Sequence, residues 1–90
     1  MDQQTFRLEL AQEHYPEPIT VTRMPGELSE HSHPFEAKAL ILDGSVSLTI
    51  NGNETTYLAG DIFHLLPNIM HSERYGPQGV TYLVGRKDTA

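Results

Sequence analysis

The pattern of apolar and polar positions divides the chain into a short helical segment and a long β-rich segment. From Asp2 to Tyr15 the pattern favours a helix, because Phe6 and Leu10 lie one turn apart and share a face. Asp2 belongs to the residue types that cap helix N-termini, and Pro16 cannot continue a helix. We therefore predict a short N-terminal helix that packs on the rest of the chain.

From Ile19 onward, apolar and polar residues alternate in short runs, and glycine, proline, asparagine or aspartate interrupts the runs every few residues. Such alternation with such breaks is typical of short β-strands. Seven strands in 90 residues predict an all-β fold, either an antiparallel β-sandwich or a small barrel. The predicted strands are Ile19–Met24, Ala37–Leu42, Ser45–Ile50, Asn53–Leu58, Ile62–Leu66, His71–Tyr75 and Val80–Val84.

Two dipeptides allow a strand register to be written down. Asn51-Gly52 favours a two-residue type I′ turn, in which both central residues have positive φ, and this turn pairs Val46 with Tyr57. If Asp43-Gly44 forms a second two-residue turn, Ile41 lies opposite Val46. One face of these strands is then wholly apolar, and we expect it to form the core: Ala37, Ala39, Ile41, Val46, Leu48 and Ile50.

The opposite face of the same strands is polar except for Leu40 and Leu42. On an isolated small sandwich these two leucines would form an exposed apolar patch. We expect a second copy of the chain to cover them in a homodimer, or the N-terminal helix to cover them instead.

Length and composition narrow the organisation and the possible ligands. A chain of 90 residues favours one domain, which we divide into the helix at 1–16, a β-barrel at 17–85 and a tail at 86–90. The absence of cysteine excludes disulfides and cysteine-ligated metals. The metal-ligand types that remain are five histidines, three methionines and twelve acidic residues.

The charge distribution excludes two classes of partner. The net charge is −6, and the six lysines and arginines are scattered singly, so the sequence lacks the basic patch of a nucleic-acid binder. It also has nothing to hold it on an anionic membrane. The longest apolar run, Ala39–Leu42, is too short for a membrane span or a secretory leader. We therefore expect a cytoplasmic protein with neither a nucleic-acid nor a membrane partner.

Two histidines lie beside the predicted core. Counting back by twos from Ala37 along the core face gives Phe35, His33 and His31. A buried polar group without a hydrogen-bond partner costs about 1–3 kcal/mol. A metal ion would satisfy both rings, because side chains at positions i and i+2 of a strand point to the same side.

Two segments resemble the two sequence motifs of the cupin superfamily. The first motif has a glycine, an H-x-H pair, a glutamate and a closing glycine, and it corresponds here to Gly26 … His31-Ser32-His33-Pro34-Phe35-Glu36 … Leu42-Asp43-Gly44. The second corresponds to Gly60-Asp61 … Pro67-Asn68 … His71, with Asn68 at the usual position of a glycine. The resemblance extends from about Ile19 to Val84 and implies a jelly-roll barrel.

The resemblance implies that a divalent metal is held by a glutamate and by three histidines, namely His31, His33 and His71. The glutamate of the motif does not carry over, because its position, seven residues before Gly44, is Ala37. Either a bulge at Pro34 turns Glu36 inward as a fourth ligand, or the site has three histidines and no carboxylate. We favour the second arrangement, in which the metal would be Zn, Fe, Ni, Mn or Cu.

Three further residues are expected to line a pocket beside the metal. Ala37 leaves space, Tyr57 points inward in the hairpin register, and Arg74 is placed to hold a ligand carboxylate at the pocket mouth. In the alternative interpretation, without a functional role, Glu73 and Arg74 are ordinary surface charges of their strand. His64 alternates with core residues and is expected to face outward.

The sequence contains no arrangement of nucleophile and base that identifies a catalytic residue, since neither Ser32 nor Ser72 lies in a recognisable nucleophile turn. Our first hypothesis is a small metal-binding cupin with an open coordination position for a small-molecule ligand. The alternatives are a metal-dependent enzyme of dioxygenase or isomerase type at the same site, and a metal-free cupin for dimerisation or ligand binding.

Overall fold

The computed structural model describes residues 1–88, which form one α-helix and six β-strands. The elements are α1 Gln3–Gln12, β1 Ile19–Arg23, β2 Gly26–His31, β3 Phe35–Ile50, β4 Asn53–Leu58, β5 Ile62–Leu65 and β6 His71–Asp88. All the strand pairings are antiparallel, so the prediction of an all-β fold with a short N-terminal helix is confirmed. Within residues 1–88 no helix is long and apolar enough to cross a membrane.

Helix α1 begins at the predicted cap and lies against the barrel. The Asp2 carboxylate accepts a hydrogen bond from the backbone N–H of Thr5 at 2.8 Å. Phe6 and Leu10 are 0% and 1% exposed and pack on Leu40 and on a residue of β6, Leu83. The helix is shorter than predicted, because it ends at Gln12.

The same helix covers the leucines on the outer face of β3. Leu40 is buried in the cluster with Phe6 and Leu10, and Leu42 packs against that cluster from its edge. Of the two expected covers for these leucines, the structure shows the helix. The homodimer loses this support, and the oligomeric state stays a prediction.

The hairpin between β3 and β4 has the predicted register. Ile50 pairs with Asn53 and Val46 pairs with Tyr57. Asn51 and Gly52 link the strands, with φ of 51° and 80°, as a type I′ turn requires.

The second predicted turn, at Asp43-Gly44, is wrong. β3 runs continuously through both residues, and both of its halves pair with β6. Ile41 lies opposite Tyr82 and Asp43 lies opposite Thr81, so β3 carries one extra residue, a β-bulge. A bulge reverses the inward parity of a strand just as a two-residue turn does, which explains why the predicted apolar face is nevertheless buried.

Gly44 is required at this bulge. Its φ is 75°, and a Cβ there would collide with the backbone oxygen of Gly79 on β6. The two long strands therefore approach closely where both are irregular.

Strand β6 joins two predicted strands into one. Its irregular segment, 76–79, lies opposite the single residue Ser45. Side chains on the inner face fall at odd positions before that segment and at even positions after it. The inward positions are His71, Glu73, Tyr75, Val80, Tyr82, Val84 and Arg86.

The two long strands organise the sheet into two halves with a common core. β1 and β5 pair with β6 and β3 in one half, and β2 and β4 pair with them in the other. Side chains of both halves form one buried cluster, so the sheet folds back on itself; Ile50 is only partly buried at its edge. The cluster contains Val21, Ala37, Ala39, Ile41, Val46, Leu48, Phe63, Leu65, Val80, Tyr82 and Val84.

The structure also differs from the predictions in one additional strand and in the C-terminal tail. β2 was not predicted, because almost all of its residues are exposed and no apolar alternation marks it. The predicted tail at 86–90 is wrong as far as Asp88, because residues 86–88 belong to β6 and pair with Phe35, Glu36 and Ala37. The rest of that tail, 89–90, lies outside the described residues.

Candidate metal centre

Three histidine rings meet at one end of the barrel. His31 is the last residue of β2 and His71 is the first of β6, and the two are cross-strand partners. His33 lies in the link between β2 and β3. The ring centroids are 4.3 Å apart for His31 and His71, 4.9 Å for His31 and His33, and 5.3 Å for His33 and His71. The structure thus brings together the three histidines singled out in the sequence.

The link that carries His33 is fixed from two sides. The backbone N–H of Asn68 donates to the carbonyl oxygen of His33 at 2.7 Å. Asn68 has a φ of 65°, so it adopts the left-handed conformation expected where the cupin motif usually has glycine. The His33 ring stacks on Phe35, with 4.9 Å between centroids and 15° between planes. These contacts hold an imidazole that belongs to no strand.

The cluster also contains a carboxylate that sequence reasoning treated as a surface charge. Glu73 lies two residues after His71 on β6, and its Oε2 is 3.1 Å from His31 Nε2 and 3.3 Å from His71 Nε2. One ligand atom from each of the four residues fits within a span of 4.8 Å. The missed signal was the i, i+2 spacing from His71, the same argument that linked His31 to His33.

The ring nitrogens of two histidines are oriented by backbone carbonyls. His31 Nδ1 lies 2.7 Å from the carbonyl oxygen of Ser29, and His71 Nδ1 lies 2.9 Å from that of Ile69. A carbonyl oxygen only accepts, so in each case Nδ1–H donates and Nε2 of a neutral ring keeps its lone pair. Such a second hydrogen bond is the usual way a metal-ligating histidine is oriented.

Both Nε2 atoms lack a hydrogen-bond partner although they are buried. Within residues 1–88, His31 Nε2 and His71 Nε2 make no hydrogen bond, and the His71 ring is 1% exposed. Their near neighbour is a Glu73 oxygen, which is itself an acceptor. Two lone pairs therefore face a carboxylate across about 3 Å, and a cation among them would satisfy all three atoms. The residues fit a divalent metal on this ground.

Local electrostatics prepare the ligands. Burial, followed by the neighbouring His31 and His71, lowers the pKa of His33 below the usual value of 6.5, so its ring is neutral at pH 7. Burial, with a smaller contribution from Glu73, raises the pKa of Tyr75 to about 12. The Tyr75 hydroxyl therefore stays protonated and donates to Glu73 Oε1 at 3.2 Å, which orients the carboxylate.

A small cavity of about 40 Å³ opens beside the cluster. Its polar wall contains His33, His71 and Glu73, and Ala37 lines it as expected. The other lining residues are Phe35, Leu48, Phe63, Leu65, Tyr82, Val84 and Arg86. This volume is the space open to the centre of a water-sized sphere, and one buried water needs roughly 10–15 Å³ of it. The cavity therefore suits a few waters or one small ligand.

Two expected pocket residues lie elsewhere. Tyr57 faces inward but packs on the ring of Phe63, 5.8 Å away, and does not reach the cavity. Arg74 lies at an outward position of β6, where its guanidinium pairs with Glu54 at 2.9 Å. Both predictions placed the residue on the correct strand. Neither prediction accounted for the side chains that contact Tyr57 and Arg74 and keep them away from the cavity.

Glu36 lies on the outer face of β3, so the alternative in which a bulge at Pro34 turns it inward is wrong. Its Oε2 accepts hydrogen bonds from His64 Nε2 at 2.5 Å and from the Tyr15 hydroxyl at 3.0 Å. His64 faces outward as expected, with 45% of its side chain exposed. A carboxylate does accompany the three histidines, but β6 supplies it as Glu73.

Comparison with known proteins points to one fold family. Residues 19–75 match the family model of the cupin domain. An RmlC-like cupin from Shewanella frigidimarina is 20% identical, with a TM-score of 0.63 over 81% of this chain and 68% of that one. A DUF861 family protein from Thermotoga maritima is 17% identical, with a TM-score of 0.69 over 92% of this chain and 90% of that one.

The chain is also similar to a part of oxalate decarboxylase from Bacillus subtilis. The two are 22% identical, with a TM-score of 0.66 over 79% of this chain and 20% of that one. Comparison with curated proteins finds no match. At these identities the structural likeness shows the fold alone, and it confirms the predicted jelly roll.

Proposed function

The chain belongs to the cupin family, and from that premise we propose that it binds one divalent transition metal through four ligands: His31, His33, His71 and Glu73. The observation that carries the proposal is the pair of buried Nε2 lone pairs facing the Glu73 carboxylate. An unsatisfied buried acceptor costs about 1–3 kcal/mol, and a bound cation would remove that cost at both rings.

The donor set defines the charge and the class of metal. Imidazole nitrogen with one carboxylate suits Zn, Fe, Ni, Mn or Cu. Glu73 lowers the net charge of the loaded site from +2, the value for three neutral histidines alone, to +1. A divalent ion held in this way supplies a Lewis acid that lowers the pKa of a coordinated water.

The cavity supports a role in binding a small molecule beside the metal. Ala37 leaves the wall open next to the ligands, and the remaining lining is largely apolar. The second candidate function, a metal-dependent enzyme at this site, draws on the same cavity and on the hydroxyl of Tyr82, a residue of its lining. We propose the binding role first, because it requires only the groups that the cluster already orients.

The proposal is tested by metal content and metal affinity. Protein purified without chelators or metal resins should contain close to one first-row metal ion per chain, as measured by inductively coupled plasma mass spectrometry. Glu73→Gln should weaken the binding of Zn²⁺ by at least about tenfold, because it removes the one charged ligand. Glu36→Gln is the matched control and should leave affinity unchanged, since that carboxylate faces outward.

Two results would contradict the proposal. The first is protein that carries no metal and gains no thermal stability on addition of Zn²⁺, Fe²⁺, Mn²⁺ or Ni²⁺, which would favour the metal-free alternative. The second is equal loss of affinity in both variants, which would place the ion at the outer face or on adventitious surface groups.

A further inference from the structure

Arg86 is a cation at the wall of the metal-site cavity that the proposed function does not use. It lies at an inward position of β6, two residues after Val84 and opposite Ala37 on β3. Its guanidinium carbon lies 5.5 Å from the centroid of the Phe35 ring, and Phe35 in turn stacks on His33. A continuous row of side chains thus leads from the metal cluster to the guanidinium.

Within residues 1–88 the charge of Arg86 has no carboxylate partner, whereas three other cations of the chain do. Arg7, Lys38 and Arg74 pair with glutamates at 2.9–3.1 Å. Arg86 makes no ion pair with any residue of the described range, and its guanidinium lies over the Phe35 ring. Stacking uses the face of a guanidinium and leaves its N–H groups, which lie in its plane, free to donate.

A second polar group in the same wall is also without a partner. Tyr82 is 7% exposed and lines the cavity, and its hydroxyl makes no hydrogen bond to residues 1–88. Burial raises the pKa of this hydroxyl, which therefore stays protonated and available as a donor. The hydroxyl is therefore free to donate to an acceptor that enters the cavity.

The charge balance at the cavity favours an anion once the metal is present. With neutral histidines the metal-free site has one negative charge, on Glu73, and one positive charge, on Arg86. A divalent ion brings that local sum to +2, although the chain as a whole carries −6. A small anion with two adjacent acceptor oxygens matches the fork of the guanidinium.

We propose that the cavity binds a small carboxylate, held by the Arg86 guanidinium and the Tyr82 hydroxyl next to the metal cluster. This inference rests on the proposed metal site in one respect: the metal-loaded chain should bind the carboxylate more tightly than the metal-free chain. The volume of about 40 Å³ restricts the part of the ligand that enters to a few non-hydrogen atoms. The apolar side chains of Leu48, Leu65 and Phe63 would contact its hydrocarbon part.

The experiment measures binding of acetate to the metal-loaded and the metal-free chain by isothermal titration calorimetry. Acetamide, which has the same shape and no charge, is the ligand control. Arg86→Gln should weaken acetate binding at least about tenfold, because hydrogen bonds to charged groups are worth about 1.5–3 kcal/mol. Arg74→Gln is the matched control on the same strand, and it should leave acetate affinity unchanged.

Metal content is measured on every sample, so that the two proposals fail separately. Full metal content with equal acetate affinity in the wild type and Arg86→Gln would overturn the carboxylate inference and leave the metal site intact. Inorganic phosphate or acetamide binding as tightly as acetate would also overturn it. If no sample takes up metal, the metal site fails, and the Arg86 dependence of acetate binding to the metal-free chain still decides the carboxylate inference.

The variant Tyr82→Phe supplies a second measurement. It keeps the ring that packs on Phe63 and removes only the hydroxyl. A fall in acetate affinity at unchanged metal content would support a direct hydrogen bond to the ligand. Unchanged affinity would overturn the role given to Tyr82.

Discussion

Two groups of histidine and glutamate side chains differ in where they face: one faces the interior of the barrel and the other faces outward. The inner cluster is His31, His33, His71 and Glu73, and the outer cluster is Tyr15, Glu36 and His64. In the outer cluster the His64 N–H and the Tyr15 hydroxyl both donate to one carboxylate oxygen. In the inner cluster two imidazole lone pairs face a carboxylate with no donor between them.

The comparison shows that residue type alone does not make a metal site. Both clusters combine imidazole with carboxylate, and both are assembled across strands. The outer cluster is already satisfied and partly exposed, so a cation would have to displace hydrogen bonds and compete with water. The inner cluster is buried and unsatisfied, so binding a cation would relieve a cost already present in the metal-free chain.

The largest expected effect is the difference in Zn²⁺ affinity between a histidine substitution in the inner cluster and one in the outer cluster. His71→Ala removes a buried ligand and should weaken binding of Zn²⁺ by more than about 100-fold. That figure is a lower bound, because loss of a residue that only supports a ligand costs 10–100-fold. His64→Ala should change the affinity by less than about threefold. The measurement is competition with a chromogenic chelator at pH 7.

A similar loss of Zn²⁺ affinity in His71→Ala and His64→Ala would contradict the distinction between the inner and the outer cluster. Circular dichroism serves as the folding control, because the His71 side chain is buried and its removal leaves space. His33→Ala is the second ligand variant, since its ring is less buried and its loss should disturb packing less.

A smaller effect is expected from the two tyrosines that orient the carboxylates. Tyr75→Phe removes the hydroxyl that donates to Glu73 and should lower metal affinity by roughly tenfold, as is typical for a group that holds a ligand in place. Tyr15→Phe removes the matching hydrogen bond to Glu36 and should leave metal affinity unchanged. Equal affinities for Tyr75→Phe and wild type would mean that Tyr75 does not position the ligand.

The smallest expected effect concerns the pH dependence of stability. The hydrogen bond from His64 is the main cause that holds the pKa of Glu36 below its ordinary value of 4.5, with further lowering from Tyr15 and Lys87. A carboxylate with a lowered pKa stabilises the fold above its ordinary pKa and loses that contribution as the pH falls below it. Glu36→Gln should therefore cost about 0.2–1 kcal/mol at pH 7.

The measurement is urea unfolding of metal-free wild type and Glu36→Gln between pH 7 and pH 3. The difference between the two proteins should shrink below about pH 4.5, where the unfolded chain takes up a proton at Glu36 and, at lower pH, the folded chain does so too. A constant difference over the whole range would assign the effect to the contacts of the introduced amide. The charge of Glu36 would then make no contribution to the stability of the fold.

Much of the candidate site could be predicted, because its residues follow simple strand parity. His31, His33 and His71 were found from spacing and from the resemblance to cupins, and the structure brings them together. The parity argument for His31 and His33 crossed a break between two strands that it did not foresee. The link still directs His33 toward the other two rings, because Asn68 fixes its backbone.

Glu73 was missed as a metal ligand because the pattern of its own strand does not show whether a charged side chain is buried. By parity alone it faces inward, but a lone glutamate near a strand end is more often solvated. What distinguishes it is the neighbour across the sheet, since β2 places His31 beside it. β2 was itself absent from the prediction, so the partner of Glu73 was absent too.

The sequence by itself determined the all-β class, the helix with its cap, the β3–β4 hairpin register and the apolar face of β3. These features depend on local periodicity and on turn residues whose φ preferences act within a few positions. The tertiary structure decided that Asp43-Gly44 is a bulge, that Glu73 joins the histidines while Glu36 pairs with His64, and that Arg86 rather than Arg74 lines the cavity. Each of these depends on which distant strand lies alongside, and pairings between distant strands are not encoded in local spacing.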